Sequence, residues 1–165
     1  MIRHPSAILL VLLVAFLVAC SPAAPQPAEG MIKPGHVIGD FEVTKGVPGD
    51  FVYTWTLDCP GPDNAYTCHA VVGTTVNVSV HVYEIPGKDL DTLWAGHTYE
   101  MTINGVPVDL KSFGPVEVVH PQVGKMRSWN VAVTASKPGE LVIHSKGAVN
   151  SEPFEETMTL AFGNP

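Results

Sequence analysis

From residue 37 onward, apolar and polar positions alternate along most of the chain. Phe51, Tyr53, Trp55 and Leu57 are spaced by Val52, Thr54 and Thr56. Val76, Val78, Val80 and Val82 are spaced by Asn77, Ser79 and His81. The same period of two runs through Tyr99–Met101–Ile103, Trp129–Val131–Val133–Ala135 and Met158–Leu160–Phe162. Successive side chains of a strand point to opposite faces, so strict alternation predicts half-buried antiparallel strands. Shorter strands are predicted at Val37–Val43, Val106–Leu110, Glu117–His120 and Leu141–His144. Pro48-Gly49-Asp50, Pro86-Gly87, Asn104-Gly105 and Pro138-Gly139 punctuate them as turns, and Asn104-Gly105 between two apolar runs is the strongest hairpin signal. No stretch after residue 36 keeps a helical period over three turns. About eight or nine short strands predict a two-sheet, all-β antiparallel sandwich over residues 37–163.

The first twenty residues have a different pattern. A positive start at Arg3 leads into an unbroken apolar run, Ala7 to Val18, then Leu17-Val18-Ala19-Cys20, and Ser21-Pro22 end it. Charge, apolar core and small residues in that order are the layout of a secretory signal peptide. The run is too short for a membrane-spanning helix, which needs about 20 residues. Leu17-Val18-Ala19-Cys20 resembles the lipobox of bacterial lipoproteins. The resemblance implies cleavage after residue 19, diacylglycerol on the Cys20 sulfur, and a protein held at the cell membrane or outer membrane, facing the periplasm or the exterior. Residues 20–36 then carry the lipidated cysteine and a tether rich in Pro22, Pro25, Pro27 and Pro34, which lacks the apolar surface to order itself.

Losing Arg3 leaves 8 basic against 16 acidic side chains, a formal charge of −8. That sign favours neither nucleic acid nor an anionic bilayer, so attachment must come from lipid. With Cys20 assigned, Cys59 and Cys68 remain as an even pair in an oxidising compartment, separated by the turn-rich segment Pro60–Thr67. A disulfide is expected, and a two-thiolate metal site is the rival reading.

Three pieces in order resemble the cupredoxin family and the related periplasmic domain of oxidase subunit II. They are the Gly-initiated strand Gly73–Val80, His97 leading into Thr98-Tyr99-Glu100-Met101, and Val133-Thr134-Ala135-Ser136-Lys137-Pro138-Gly139 before a further strand. An immunoglobulin-like sandwich would show similar pieces. In copper-binding cupredoxins a cysteine follows the Pro-Gly turn, where this chain has Ser145 beside His144, and residues 146–153 add no histidine, cysteine or methionine. The resemblance therefore implies a domain without the blue-copper site. A softer copper site could still draw on His97, Met101, His120 and Met126, because imidazole and thioether suit Cu(I). Asp89-Leu90-Asp91 and Glu152–Glu156 hold carboxylates suited to calcium but match no loop pattern. Asn77-Val78-Ser79 is a glycosylation acceptor that falls mid-strand. His81, in phase with Asn77 and Ser79, is expected in solvent, while His97, in phase with Tyr99 and Met101, is expected to face inward.

No Gly-x-Ser-x-Gly elbow appears, and pairing removes the last free thiols. The expected function is a non-catalytic binding domain for a protein partner or small ligand, without a cofactor, accessory to an envelope or respiratory complex. A copper carrier is the alternative, and a hydrolase inhibitor or adhesin using loops on a sandwich is a third. Trp94, in an apolar stretch between strands, either marks a binding loop or folds over the sandwich end.

Overall fold

Strands form where the two-residue period holds and stop where turn residues or side-chain hydroxyls compete. The computed structural model describes residues 30–120, 124–149 and 152–164. Among them are β1 (His36–Ile38), β2 (Phe41–Lys45), β3 (Val52–Tyr53), β4 (Ala65–Val71), β5 (Thr75–Tyr83), α1 (Leu90–Ala95), β6 (Thr98–Ile103) and β7 (Val106–Pro107). There follow α2 (Leu110–Phe113), β8 (Pro115–His120), β9 (Gly124–Ala135), β10 (Gly139–Val149) and β11 (Glu152–Gly163). One sheet has the order β1-β2-β9-β5-β3, with β8 also on β9, and the other has the order β4-β11-β10-β6-β7. The two pack face to face as an all-β sandwich. Most pairs are antiparallel, but β4 runs parallel to β11 and β3 parallel to β5.

The core is the alternating set. Val43, Val76, Val131 and Val133 of one sheet and Ile103, Leu141, Ile143 and Leu160 of the other are at most 1% exposed. Burying each such side chain contributes about 1.5–3 kcal/mol. Asn104 and Gly105 take positive φ angles of 49° and 78° and join β6 to β7, as a two-residue hairpin with a primed turn requires.

Three expectations are corrected. The strand predicted over Phe51–Leu57 ends at Tyr53 and becomes a 3-10 turn, Thr54–Thr56. The Thr56 hydroxyl donates to the Tyr53 carbonyl at 2.7 Å, a local bond that competes with a sheet ladder. Val106–Leu110 is strand only at its start, then turns into α2. The face of β5 that carries Asn77, Ser79 and His81 is not solvated. Asn77 is 0%, Ser128 2% and Asn130 4% exposed, and His81 is half-buried. Gly46 and Phe51 lie over Asn77 and Asn130, so closely that a Cβ at Gly46 would lie 2.9 Å from the Phe51 ring and 3.1 Å from Asn77 Oδ1. Beneath it Asn77 Nδ2 and the Ser128 hydroxyl both donate to Asn130 Oδ1. Asn77 is therefore closed to a glycan.

Candidate functional site

The register places three connections at one end of the sandwich. Tyr83 of β5 pairs with Met126, next to the β8–β9 hairpin, while Ala148 pairs with Thr98 and Val149 with Glu152. The β5–β6, β8–β9 and β10–β11 connections thus share this loop end, and residues 121–123 and 150–151 of the last two lie outside the described residues.

The β5–β6 connection builds most of the site. Asp89 caps α1 by accepting from the Thr92 backbone N–H at 2.8 Å and the Thr92 hydroxyl at 2.7 Å, which holds its carboxyl below the usual range. Leu90 and Leu93 bury against Val82, so the helix lies across the sandwich end. Trp94, expected between strands, sits on this helix and is half-buried, its ring 4.4 Å from that of Trp129. The Arg127 guanidinium lies 5.6 Å from the Trp94 centroid and donates to Asp91 at 2.7 Å and to Glu117. This cation–π contact and paired clamp tie α1 to the β8–β9 ribbon.

Behind Trp94 the rings continue as a ladder. His97 lies 5.9 Å from Trp94, 5.8 Å from Trp129 and 6.0 Å from Tyr99, and Tyr99 lies 5.6 Å from Phe154. Tyr99 and Phe154 flank Gly147 across β6, β10 and β11, so the missing side chain leaves the space over which their rings meet. A Cβ at Gly147 would also run into the Thr98 carbonyl. His97, Tyr99, Trp129, Gly147 and Phe154 line a cleft of about 770 Å³, edged by Glu100, Lys111, Lys146 and Glu155. At the edge Lys146 pairs with Glu100 at 3.1 Å and His144 with Glu155 at 2.9 Å.

His97 is 8% exposed, and neither ring nitrogen reaches a hydrogen-bond partner in the protein. Burial lowers its proton affinity, only partly offset by the nearby Ala148 backbone, so the imidazole is neutral at pH 7. Deeper in, the Tyr99 hydroxyl donates to Ser145 Oγ at 2.8 Å, and burial pushes the phenol's pKa up. The Tyr66 hydroxyl donates to Glu156 at 3.3 Å. Burial and the carboxylate raise Tyr66 to about 12, and burial also raises Glu156 above the usual carboxylate range.

The expected site residues divide as follows. Cys59 and Cys68 are disulfide-bonded, with an S–S distance of 2.06 Å. Cys20 lies outside the described residues. Within the copper set, His97 and Met101 stand apart. Met101 lies four residues beyond His97 along extended chain, roughly 13 Å at strand rise. Met126 shares its side of β9 with Ser128 and Asn130, away from Trp129. The backbone of His120 pairs with Gly124 at the hairpin. The candidate calcium carboxylates are also dispersed: Asp89 caps α1, Asp91 holds Arg127, and Glu155 and Glu156 point to opposite faces of β11. Among the described residues no three His, Cys, Asp or Glu side chains converge as a metal would need. His97 was readable as inward-facing, whereas the ladder around it joins four separate segments and left no local signal.

No protein-family model matches the chain, and no curated protein matches it in sequence. Among solved structures it is similar to a cysteine protease inhibitor, EhICP2, from Entamoeba histolytica, at 10% identity over 68% of this chain and 93% of that one, with a TM-score of 0.34. A likeness at that score carries no argument about this chain. No helix among the described residues is long and apolar enough to cross a membrane.

Proposed function

We propose that the protein is a lipid-anchored, non-catalytic binding domain outside the cytoplasm, and that its loop end is the surface that meets a partner or ligand. The observation that carries this reading is the half-exposed aromatic cleft at that end, with a buried histidine that makes no well-formed hydrogen bond within the protein. Tryptophan, tyrosine and arginine beside a desolvated pocket are the composition of binding hot spots. Loops on a rigid sandwich are a common place for recognition, and an inhibitor of an envelope hydrolase or an adhesin would both use such an end. The Leu17–Cys20 motif supports the anchor, and the residues between Cys20 and Ile32 would let the loop end range over the bilayer surface; the tether expected over residues 20–36 is shorter, because Ile32 is buried in the core and bridges Val108.

The test is site-specific photo-crosslinking in cells. A photo-reactive residue at Val119 or Tyr83, which are 78% and 45% exposed at the loop end, is expected to trap a partner. The same residue at Val71 or Val142, 44% and 45% exposed toward the other end, is expected to trap none. Equal adducts from both ends would remove the loop-end assignment, and substrate turnover by the purified chain would remove the non-catalytic one.

A further inference from the structure

We propose that the aromatic cleft is a binding site for a neutral saccharide chain, with Phe154, Tyr99 and Trp129 as stacking surfaces and His97 as the hydrogen-bonding post. The inference rests on the loop-end reading and names the ligand of that end.

Three independent observations point to this chemistry. The first is the ring geometry: Trp129 and Tyr99 are within 18° of parallel, as Tyr99 and Phe154 are within 24°. The rings step past one another, 6.3 and 5.6 Å between centroids, as an aromatic wall of the cleft against which the flat C–H face of a pyranose can lie. The second is His97. It lines the cleft, is more than nine-tenths buried, and its two ring nitrogens make no well-formed hydrogen bond within the protein, though the Ala148 backbone lies near the ring. A buried polar group left so costs stability, which a ligand's hydrogen bonds can recover. A neutral imidazole presents one donor and one acceptor, and a sugar hydroxyl is both at once. The third is the rim. Lys146 with Glu100, and Glu155 with His144, are already paired across neighbouring strands. These pairs offset one another's charge, and Lys111 adds one more ammonium donor to a rim that offers hydroxyl partners on several sides. A volume near 770 Å³ lies within the roughly 300–1,000 Å³ of small-molecule sites.

Two competitors fit less well. A peptide added as a strand beside β6 would need the outer edge of β7, but Ile32 occupies it, donating to the Pro107 carbonyl at 2.8 Å and accepting from the Asp109 N–H at 2.9 Å. A nucleic acid meets a chain whose formal charge is −8 after signal removal.

The experiment titrates the full lipidated chain in detergent micelles with neutral di- to tetrasaccharides of the gluco, galacto, manno and N-acetylhexosamine series. Two readouts are followed, the tryptophan emission of Trp94 and Trp129 and the nitrogen resonances of the His97 ring. One series is expected to bind saturably and move both. Phe154→Ser and His97→Phe are each expected to weaken that binding about tenfold or more, while Val142→Ser at the far end leaves it unchanged. His97→Phe fills the same apolar space, so its melting temperature shows that lost binding is not lost fold. The proposal is overturned if no sugar moves the His97 resonances up to about 10 mM. It is equally overturned if binding persists in both cleft variants. A protein crosslink from Val119 that survives both variants, with no sugar binding, would overturn the saccharide while leaving the loop-end reading intact.

Discussion

His97 links stability to recognition most directly. Its imidazole is surrounded by three aromatic rings and makes no well-formed hydrogen bond, so replacing it with a hydrocarbon of similar shape should help the fold. His97→Phe is expected to stabilise the protein by about 1 kcal/mol, a rise of roughly 3–5 °C in melting temperature. The pH dependence has a definite sign. The folded imidazole holds its proton less tightly than an ordinary histidine, so as pH falls through 6.5 the unfolded chain takes up the proton first. Stability is therefore full above 6.5 and declines below it, and His97→Phe should flatten that part of a melting-temperature profile. An unchanged slope would mean that another group governs it. Glu156 works the other way. Its folded pKa is raised by burial, against the opposing Tyr66 bond, so it favours the folded state below 4.5 and weighs against it above. Glu156→Gln is expected to raise the melting temperature slightly at pH 7 and to have no effect at pH 4.

At the scale of elements, the long strands were legible because one chemical rule governs them. β6, β9 and β11 carry their core residues at every second position, and the structure keeps that phase. The covered face of β5 was not legible, because what buries Asn77 is a segment thirty residues upstream whose own pattern resembled a strand. α1 escaped for a different reason: six residues make less than two turns, too few for a period to show. Its stability comes instead from the Asp89 cap, the Leu90 and Leu93 contacts and the Arg127 clamp. Arg127→Met keeps an apolar stem beside Trp94 but removes both carboxylate bonds. It is expected to destabilise by about 1 kcal/mol, less at high salt, and to red-shift Trp94 emission as α1 loosens. No change in emission would show that the clamp does not hold the helix. The disulfide acts on a neighbouring element. Cys68 is fully buried in β4, and Cys59 packs on the same core. Closing a loop of nine-residue separation should contribute roughly 2–3 kcal/mol. Reducing it, or substituting Cys59→Ser with Cys68→Ser, is expected to lower the unfolding free energy by that amount in urea titration.

At the scale of the whole molecule, anchoring and folding should be separable. The domain's core begins at Ile32, which is 0% exposed and holds the edge of β7. Eleven residues, 21–31, lie between it and Cys20. Net charge supplies no pull toward the bilayer, so on the proposed anchoring the lipid would have to supply all of it. Cys20→Ser is therefore expected to move the protein from the membrane fraction to the soluble one, with melting temperature and urea midpoint unchanged. If the variant stays with the membrane, some surface of the sandwich binds there, and the anchor reading of Leu17–Cys20 loses its purpose. Released domain should also bind saccharide in solution as the anchored form does, because every residue of the cleft lies beyond residue 90. Any loss of affinity on release would then be an effect of surface concentration, several copies on one membrane meeting one chain, and would disappear with monovalent sugars.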